Sequence, residues 1–279
     1  MSIYNPALSA TPGWNTPQRN MPGHATFVPK WHAARFPATS PEWFQSIMSQ
    51  YEDAWQAARD RIARAARAAG RDAAAVRLLA VSKTQPAGRV LDAWRLGQRA
   101  FGENYVQEAA AKQAALGDLA GIEWRMIGPL QGNKAAQAAA VFDAVESVDR
   151  LKIAERLSAA RSPDRKPLEV LVQINISGEA TKSGASPADA VTLARQVASL
   201  PRLRLRGFMG IAEPTDDVAV QRAQFATLAR CRDAARAAGL DVDELSMGMT
   251  ADLEAAIAEG ATEVRLGTAL FGARGKAKE

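Results

Sequence analysis

Val76-Arg77-Leu78-Leu79-Ala80-Val81-Ser82-Lys83 ends on a single amine and runs directly into Thr84-Gln85-Pro86. Apolar residues at both parities are the pattern of a parallel strand covered on its two faces. Alternation puts Leu79, Val81 and Lys83 on one face and Leu78, Ala80 and Ser82 on the other. Lys83 thus shares a face with core residues at the strand's carboxyl end, where parallel α/β folds bind ligands. Taken alone, the strand leaves two readings of Lys83: a pocket amine, or a side chain that snorkels to solvent.

Outward from this strand the chain alternates. Upstream, residues 50–69 set Trp55, Ala58, Ile62, Ala65 and Ala69 at helical spacing, and Gly70 stops the helix. Downstream, Pro86 opens a helix through Leu91 and Trp94 to Gly97. Seven more strands are expected at 99–102, 123–127, 144–148, 169–175, 204–211, 244–247 and 263–266, with helical segments between them. Eight strands alternating with helices are the count of a single (β/α)8 TIM-type barrel. A doubly wound open sheet is the runner-up, weakened by the lack of a G-x-G-x-x-G after the first strand. Only 271–279 follow the last strand, which leaves no room for a second folded domain.

Residues 1–47 differ from the rest. They hold half of the 14 prolines, both histidines (His24, His32) and Trp14, Trp31 and Trp43. Such proline density argues against helix or central strand, and no signal-peptide core is present, so a disordered arm is expected before a barrel domain at 48–279. Met48, at the change to alanine- and arginine-rich helix, is a candidate for the natural start. His24 and His32 have no cysteine or acidic partner at ligand spacing, and no metal site is expected. The 279 residues, 47% hydrophobic, suffice for a large core. A net charge of +5, spread without a basic tract, suits acidic small molecules and does not call for nucleic acid or a membrane surface. The single Cys231 cannot form an intrachain disulfide, fits a reducing cytoplasm, and reads as a small buried helix residue. A monomer is expected.

The strand ends carry the candidate chemistry. Ser246-Met247-Gly248-Met249-Thr250 ends the seventh strand and Gly267-Thr268 the eighth. Small, hydroxyl-bearing, glycine-containing turns in these positions suit a phosphate held by backbone N–H groups; the alternative is that Thr250 caps a helix starting at Ala251 and the glycines only make turns. In the eighth strand Arg265 alternates with Val264 and Leu266 and points into the barrel if that pair faces the helices, a costly placement without a partner. A strand-end lysine, an anion cradle and an interior arginine together suggest pyridoxal 5'-phosphate (PLP): Lys83 as its Schiff base, which needs a neutral amine, and Arg265 against the pyridine nitrogen.

The same residues resemble a known family. Val81-Ser82-Lys83-Thr84, the run from Phe101 through Gly102-Glu103-Asn104-Tyr105 to Glu108, Ile127-Gly128-Pro129-Leu130-Gln131, Gln173-Ile174-Asn175, Leu245 to Met249 and Val264-Arg265-Leu266-Gly267-Thr268 are similar to the pyridoxal phosphate homeostasis proteins, in order, from about Met48 to Arg274. The resemblance implies a barrel of the alanine racemase N-terminal type, cofactor on Lys83, Arg265 at the ring nitrogen, phosphate around Ser246, Gly248, Thr250, Gly267 and Thr268, and Asn104 near the ring. Arg125, Gln85 and Thr250 depart from the residues common at those positions. The function expected is PLP holding, buffering or delivery to apo-enzymes without rapid turnover. An amino-acid racemase is the alternative; it needs a second acid opposite the lysine, and the chain offers only Tyr4, Tyr51 and Tyr105. A phosphosugar-binding barrel enzyme, a third reading, would carry no chromophore.

Overall fold

The computed structural model describes residues 42–179 and 182–272, with side chains from 51 onward. The expectations for residues 1–41 of the arm, for His24 and His32, and for Tyr4 lie outside these residues, while 42–47, expected in the arm, are helical. The unit Gln45–Glu279 holds every strand.

Eight parallel strands close into one barrel in chain order, β1 pairing with β8. They are β1 (Arg77–Val81), β2 (Ala100–Glu103), β3 (Glu123–Met126), β4 (Ala144–Val148), β5 (Leu168–Ile174), β6 (Leu203–Gly210), β7 (Glu244–Ser246) and β8 (Glu263–Leu266). The helices are α1 (Glu42–Ala68), α2 (Ala87–Arg95), α3 (Val106–Leu116), α4 (Ala135–Val141), α5 (Leu151–Ala160), α6 (Ala190–Ala198), α7 (Val218–Ala237), α8 (Leu253–Ala258) and α9 (Thr268–Phe271). The barrel expectation is met, and the strands fall within a residue or two of their expected bounds, β1 being shorter at both ends. Helix α1 begins ahead of Met48, directly after Pro41, so the change of composition at Met48 falls within a helix.

Strand alternation creates two cores. One parity of each strand packs on the helices, where Ala80, Phe101, Trp124, Val145, Val170, Phe208 and Val264 are buried with Val90, Ala109, Leu157 and Phe225. Each large side chain there contributes about 1.5–3 kcal/mol on leaving water. Trp55 of α1 meets Phe271 of α9 edge to face at 5.8 Å, so the first and last described helices seal the β1–β8 seam together. The other parity fills the barrel: Leu79, Ala100, Ala144, Leu171 and Met209 are buried, and a Cβ on Gly102 would come within 3.2 Å of Leu79 and 3.0 Å of Ile127. Leu79 therefore faces inward, and Val81 and Lys83 share its parity. Cys231 is buried on α7, and burial raises its thiol pKa, as suits an inert core residue.

Candidate functional site

Pairing sets β7, β8 and β1 side by side, Ser246 opposite Glu263 and Leu79 opposite Arg265. Their carboxyl ends bring Gly248, Gly267, Thr268 and Lys83 into one sector of the rim, with Asn104 next to it at the end of β2. Lys83 lies just past β1 and is half-buried. Gly248 has φ of +92°, and its carbonyl accepts from the Arg265 N–H at 2.9 Å. A Cβ there would stand 2.6 Å from that of Ala256, so both backbone and space require glycine. Gly267 precedes α9; its carbonyl accepts from the Leu270 and Phe271 N–H groups, and the Thr268 and Ala269 N–H groups begin the helix without an intrahelical acceptor.

The backbone around Lys83 is held by a buried ion cluster. Lys112 of α3, 5% exposed, donates to the Ser82 carbonyl (2.6 Å), to Glu103 Oε1 (2.6 Å) and to Glu108 Oε1 (2.8 Å). The Ser82 hydroxyl donates to Glu103 at 2.6 Å, and the Thr84 N–H donates to Glu108 at 2.5 Å. Thr84 has φ of +65°, a conformation that costs a residue with a Cβ about 1 kcal/mol or more. Glu108 and Lys112 thus grip the chain on both sides of Lys83 and hold it in that turn. Burial raises the pKa of Glu103, against the opposing pull of Lys112.

Arg265 is 5% exposed and donates to Ser246 Oγ and to the Gly210 carbonyl, each at 2.9 Å. Burial lowers its pKa, and Glu146, Glu263 and Asp252 counter that. The expected interior direction of Arg265 is what the structure has. Ser246 lies at the strand-end sector but its side chain is fully buried, with Oγ 2.5 Å from Glu146 Oε2 and 3.0 Å from Glu263 Oε1, so its hydroxyl is engaged below the rim. Thr250 is exposed, its carbonyl accepting from Arg61 at 2.8 Å. It does not cap a helix at Ala251: α8 starts at Leu253, and the Asp252 carboxylate accepts from the Met249 N–H.

Below Arg265 the barrel is ionic. Arg125 is fully buried and donates to Glu146 (2.5 Å), Glu123 (2.7 Å) and Glu244 (3.0 Å), while Arg77 lies 2.7 Å from Glu263. Burial and the nearby Glu263 push Glu146 up to about 7; burial also opposes ionisation of Glu263, but Arg125 and Arg77 outweigh it and hold that carboxyl low. Sequence reasoning missed this network and the Lys112 cluster. A signal existed for the first: Arg125 and Glu146 sit mid-strand at the inward parity.

On the opposite side of the rim, Ile127, Pro129, Gln173, Asn175, Lys182 and Ile211 line a cavity of about 290 Å³. Among the described residues no group of three or more His, Cys, Asp or Glu is placed to hold a metal, and no helix is long and apolar enough to cross a membrane.

The fold and this rim define a class: residues 55–275 match the family model for the alanine racemase N-terminal domain. The pyridoxal phosphate homeostasis protein of Pseudomonas aeruginosa is 58% identical over 77% of this chain and 91% of its own length. That of Escherichia coli K12 is 47% identical over 79% and 95%. The structure of PipY from Synechococcus elongatus with PLP bound aligns at 41% identity and a TM-score of 0.63, covering 71% of this chain and 93% of that one. The chain belongs to the family of pyridoxal phosphate homeostasis proteins.

Proposed function

We propose that this chain binds PLP through Lys83 and holds, buffers or hands on the cofactor in the cytoplasm without rapid turnover of a substrate. The observation that carries this reading is the meeting of a half-buried lysine and a buried arginine at adjoining strand ends, beside glycine-bearing turns. These residues fit the group. When bound, PLP supplies an aldehyde for a neutral amine and a ring that withdraws electrons.

The chain's part is positional. Lys83 stands half-buried just past β1, at the parity of the buried Leu79, and its amine would react in the neutral form. Arg265, fixed by Ser246 and Gly210, would hold its guanidinium against the ring nitrogen and keep it unprotonated, so that the bound ring would withdraw electrons more weakly. Gly248, Gly267 and Thr268 would hold the phosphate through backbone N–H groups, and Asn104, at the end of β2, would contribute beside the ring. Ser246 serves from beneath through Arg265, and Thr250 contributes its turn more than its exposed hydroxyl.

A racemase needs a second positioned acid across from the lysine. Tyr105, the tyrosine nearest the rim in sequence, is 61% exposed, too wet to be a positioned proton donor. Incubation with alanine and serine in deuterated water, with Cα exchange followed by NMR, tests the reading together with transfer to an apo-enzyme. The expected result is stoichiometric PLP transfer and exchange well below ~1 per second, the low end of ordinary enzymes. Faster exchange that vanishes in Tyr105→Phe would overturn it.

A further inference from the structure

The barrel beneath Arg265 contains a hydrogen-bond count that closes only if one of two carboxyls is protonated. Ser246 Oγ has three close polar neighbours: Arg265 Nη1 at 2.9 Å, Glu146 Oε2 at 2.5 Å and Glu263 Oε1 at 3.0 Å. A hydroxyl has one proton and two lone pairs. The guanidinium occupies one lone pair as donor, so the hydroxyl proton can serve only one carboxylate. The other carboxyl must bring its own proton, or two anions face one oxygen in a site without water contact. Both glutamates are essentially fully buried, which makes an unshared charge costly.

The charge count agrees. The inward and lower-rim groups are Arg77 on β1, Glu123 and Arg125 on β3, Glu146 on β4, Glu169 on β5, Arg206 on β6, Glu244 on β7, and Glu263 and Arg265 on β8, joined by contacts of 2.5 to 3.8 Å. Four arginines face these five carboxyls, and Asp252, toward Arg265, adds a sixth, so carboxyls outnumber cations. A surplus carboxyl keeps its proton most readily where it is buried. Glu263 is paired with Arg77 and approached by Arg125, whereas Glu146 meets Arg125 through Oε1 alone. Of the two carboxyls on Ser246, Glu146 has the fewer cationic contacts.

We propose that Glu146 and Glu263 are positioning residues, a carboxyl pair holding one proton between them, which set Arg265 against the cofactor ring through the Ser246 hydroxyl. Glu146 O–H donates to Ser246, Ser246 O–H donates to Glu263, and Arg265 donates to Ser246. This deepens the PLP reading above and rests on it. The position of Glu146, raised to about 7, means that its proton leaves within the physiological range. Arg265 then faces a different hydrogen-bond pattern below its guanidinium.

The test uses the full chain and the variants Glu146→Gln, Glu263→Gln and Ser246→Ala. In PLP-free protein, δ-¹³C-glutamate NMR should show one buried carboxyl titrating near neutral pH, absent in Glu146→Gln. In PLP-loaded protein, the pH profile of the visible band and of PLP affinity should follow. Glu146→Gln, which mimics the protonated acid, should match the wild type within twofold at pH 6, differ several-fold at pH 8, and have a flat profile between. Ser246→Ala should bind PLP on the order of tenfold more weakly, the effect of losing one hydrogen bond to a charged group. Absence of the titrating carboxyl, or folded Glu146→Gln and Ser246→Ala proteins whose affinity and pH profile track the wild type, would overturn the proposal. Borohydride capture at Lys83 in the wild type reports on the PLP reading alone. Its failure beside a positive NMR titration would locate the error in that reading and leave the proton-sharing pair standing without its positioning role.

Discussion

Replacing Lys112 by methionine keeps the length of the side chain and removes one charge from the cluster behind Lys83. The ammonium donates three hydrogen bonds of 2.6 to 2.8 Å in a site 5% exposed, and Glu103 beside it is fully buried. Breaking a buried ion pair by removing one partner costs about 3–5 kcal/mol. Glu103 limits the loss by taking up a proton, since burial already raises its pKa, so the lower end, about 3 kcal/mol, is expected. For a domain of this size that is a Tm lower by about 6–12 °C. A carboxyl whose folded pKa lies above its unfolded value withdraws stability as pH rises past the ordinary carboxylate range. The deficit should therefore be larger at pH 7.5 than at pH 5. Urea unfolding at both pH values measures it, and Glu103→Gln combined with Lys112→Met should recover part of the loss. PLP uptake by Lys83 should slow as well, because Ser82 and Thr84 lose their grip. A loss under 1 kcal/mol at pH 7.5, or a deficit that does not shrink in acid, would refute the reasoning.

Other outcomes follow from the same structure. Glu146, pushed up to about 7, keeps a proton that the unfolded chain releases near 4.5, so it withdraws up to about 3 kcal/mol of stability as pH rises between those values. Glu146→Gln should lack that decline, and the gap from wild type should widen from pH 5 to pH 8 in urea titrations. Arg161, 3% exposed, donates to the carbonyls of Lys166, Ala139 and Phe142; Arg161→Met should cost about 2–4 kcal/mol by leaving them unpaired while PLP affinity stays within twofold. Gly248→Ala puts a Cβ at 2.6 Å from Ala256 at a φ of +92°, and should lower both stability, by about 1–3 kcal/mol, and PLP affinity in a fluorescence titration.

The barrel was legible because each strand repeats one argument. Val76 to Ser82 is apolar at both parities, and only a strand between two cores needs that. The inward Arg265 was legible for the same reason, one charge alternating with Val264 and Leu266. Alternation does not reveal which charges meet across the barrel. Arg125 and Glu146 are on neighbouring strands, but Glu146, Ser246 and Glu263 converge only after closure, and no local spacing encodes closure. The Lys112 cluster was hidden because Glu108 and Lys112, four apart on a helix, have the spacing of an ordinary surface ion pair, and only the close approach of α3 to the end of β1 buries the lysine. The place of Ser246 was half legible: its strand end was right, while the direction of its hydroxyl depended on partners on β4 and β8. Helix α1 began earlier than composition suggested because residues 42–47 hold no proline, and nothing in them breaks a helix that continues through Met48.

The central claim is that Lys83 is the amine that takes the cofactor. The direct measurement is borohydride reduction of PLP-loaded protein, followed by proteolysis and mass mapping, beside Lys83→Ala treated alike. The account predicts one pyridoxyl adduct, on the peptide carrying Lys83, and a folded variant without the visible band. An adduct on Lys134 or Lys182, or a Lys83→Ala protein that keeps the band, would contradict it.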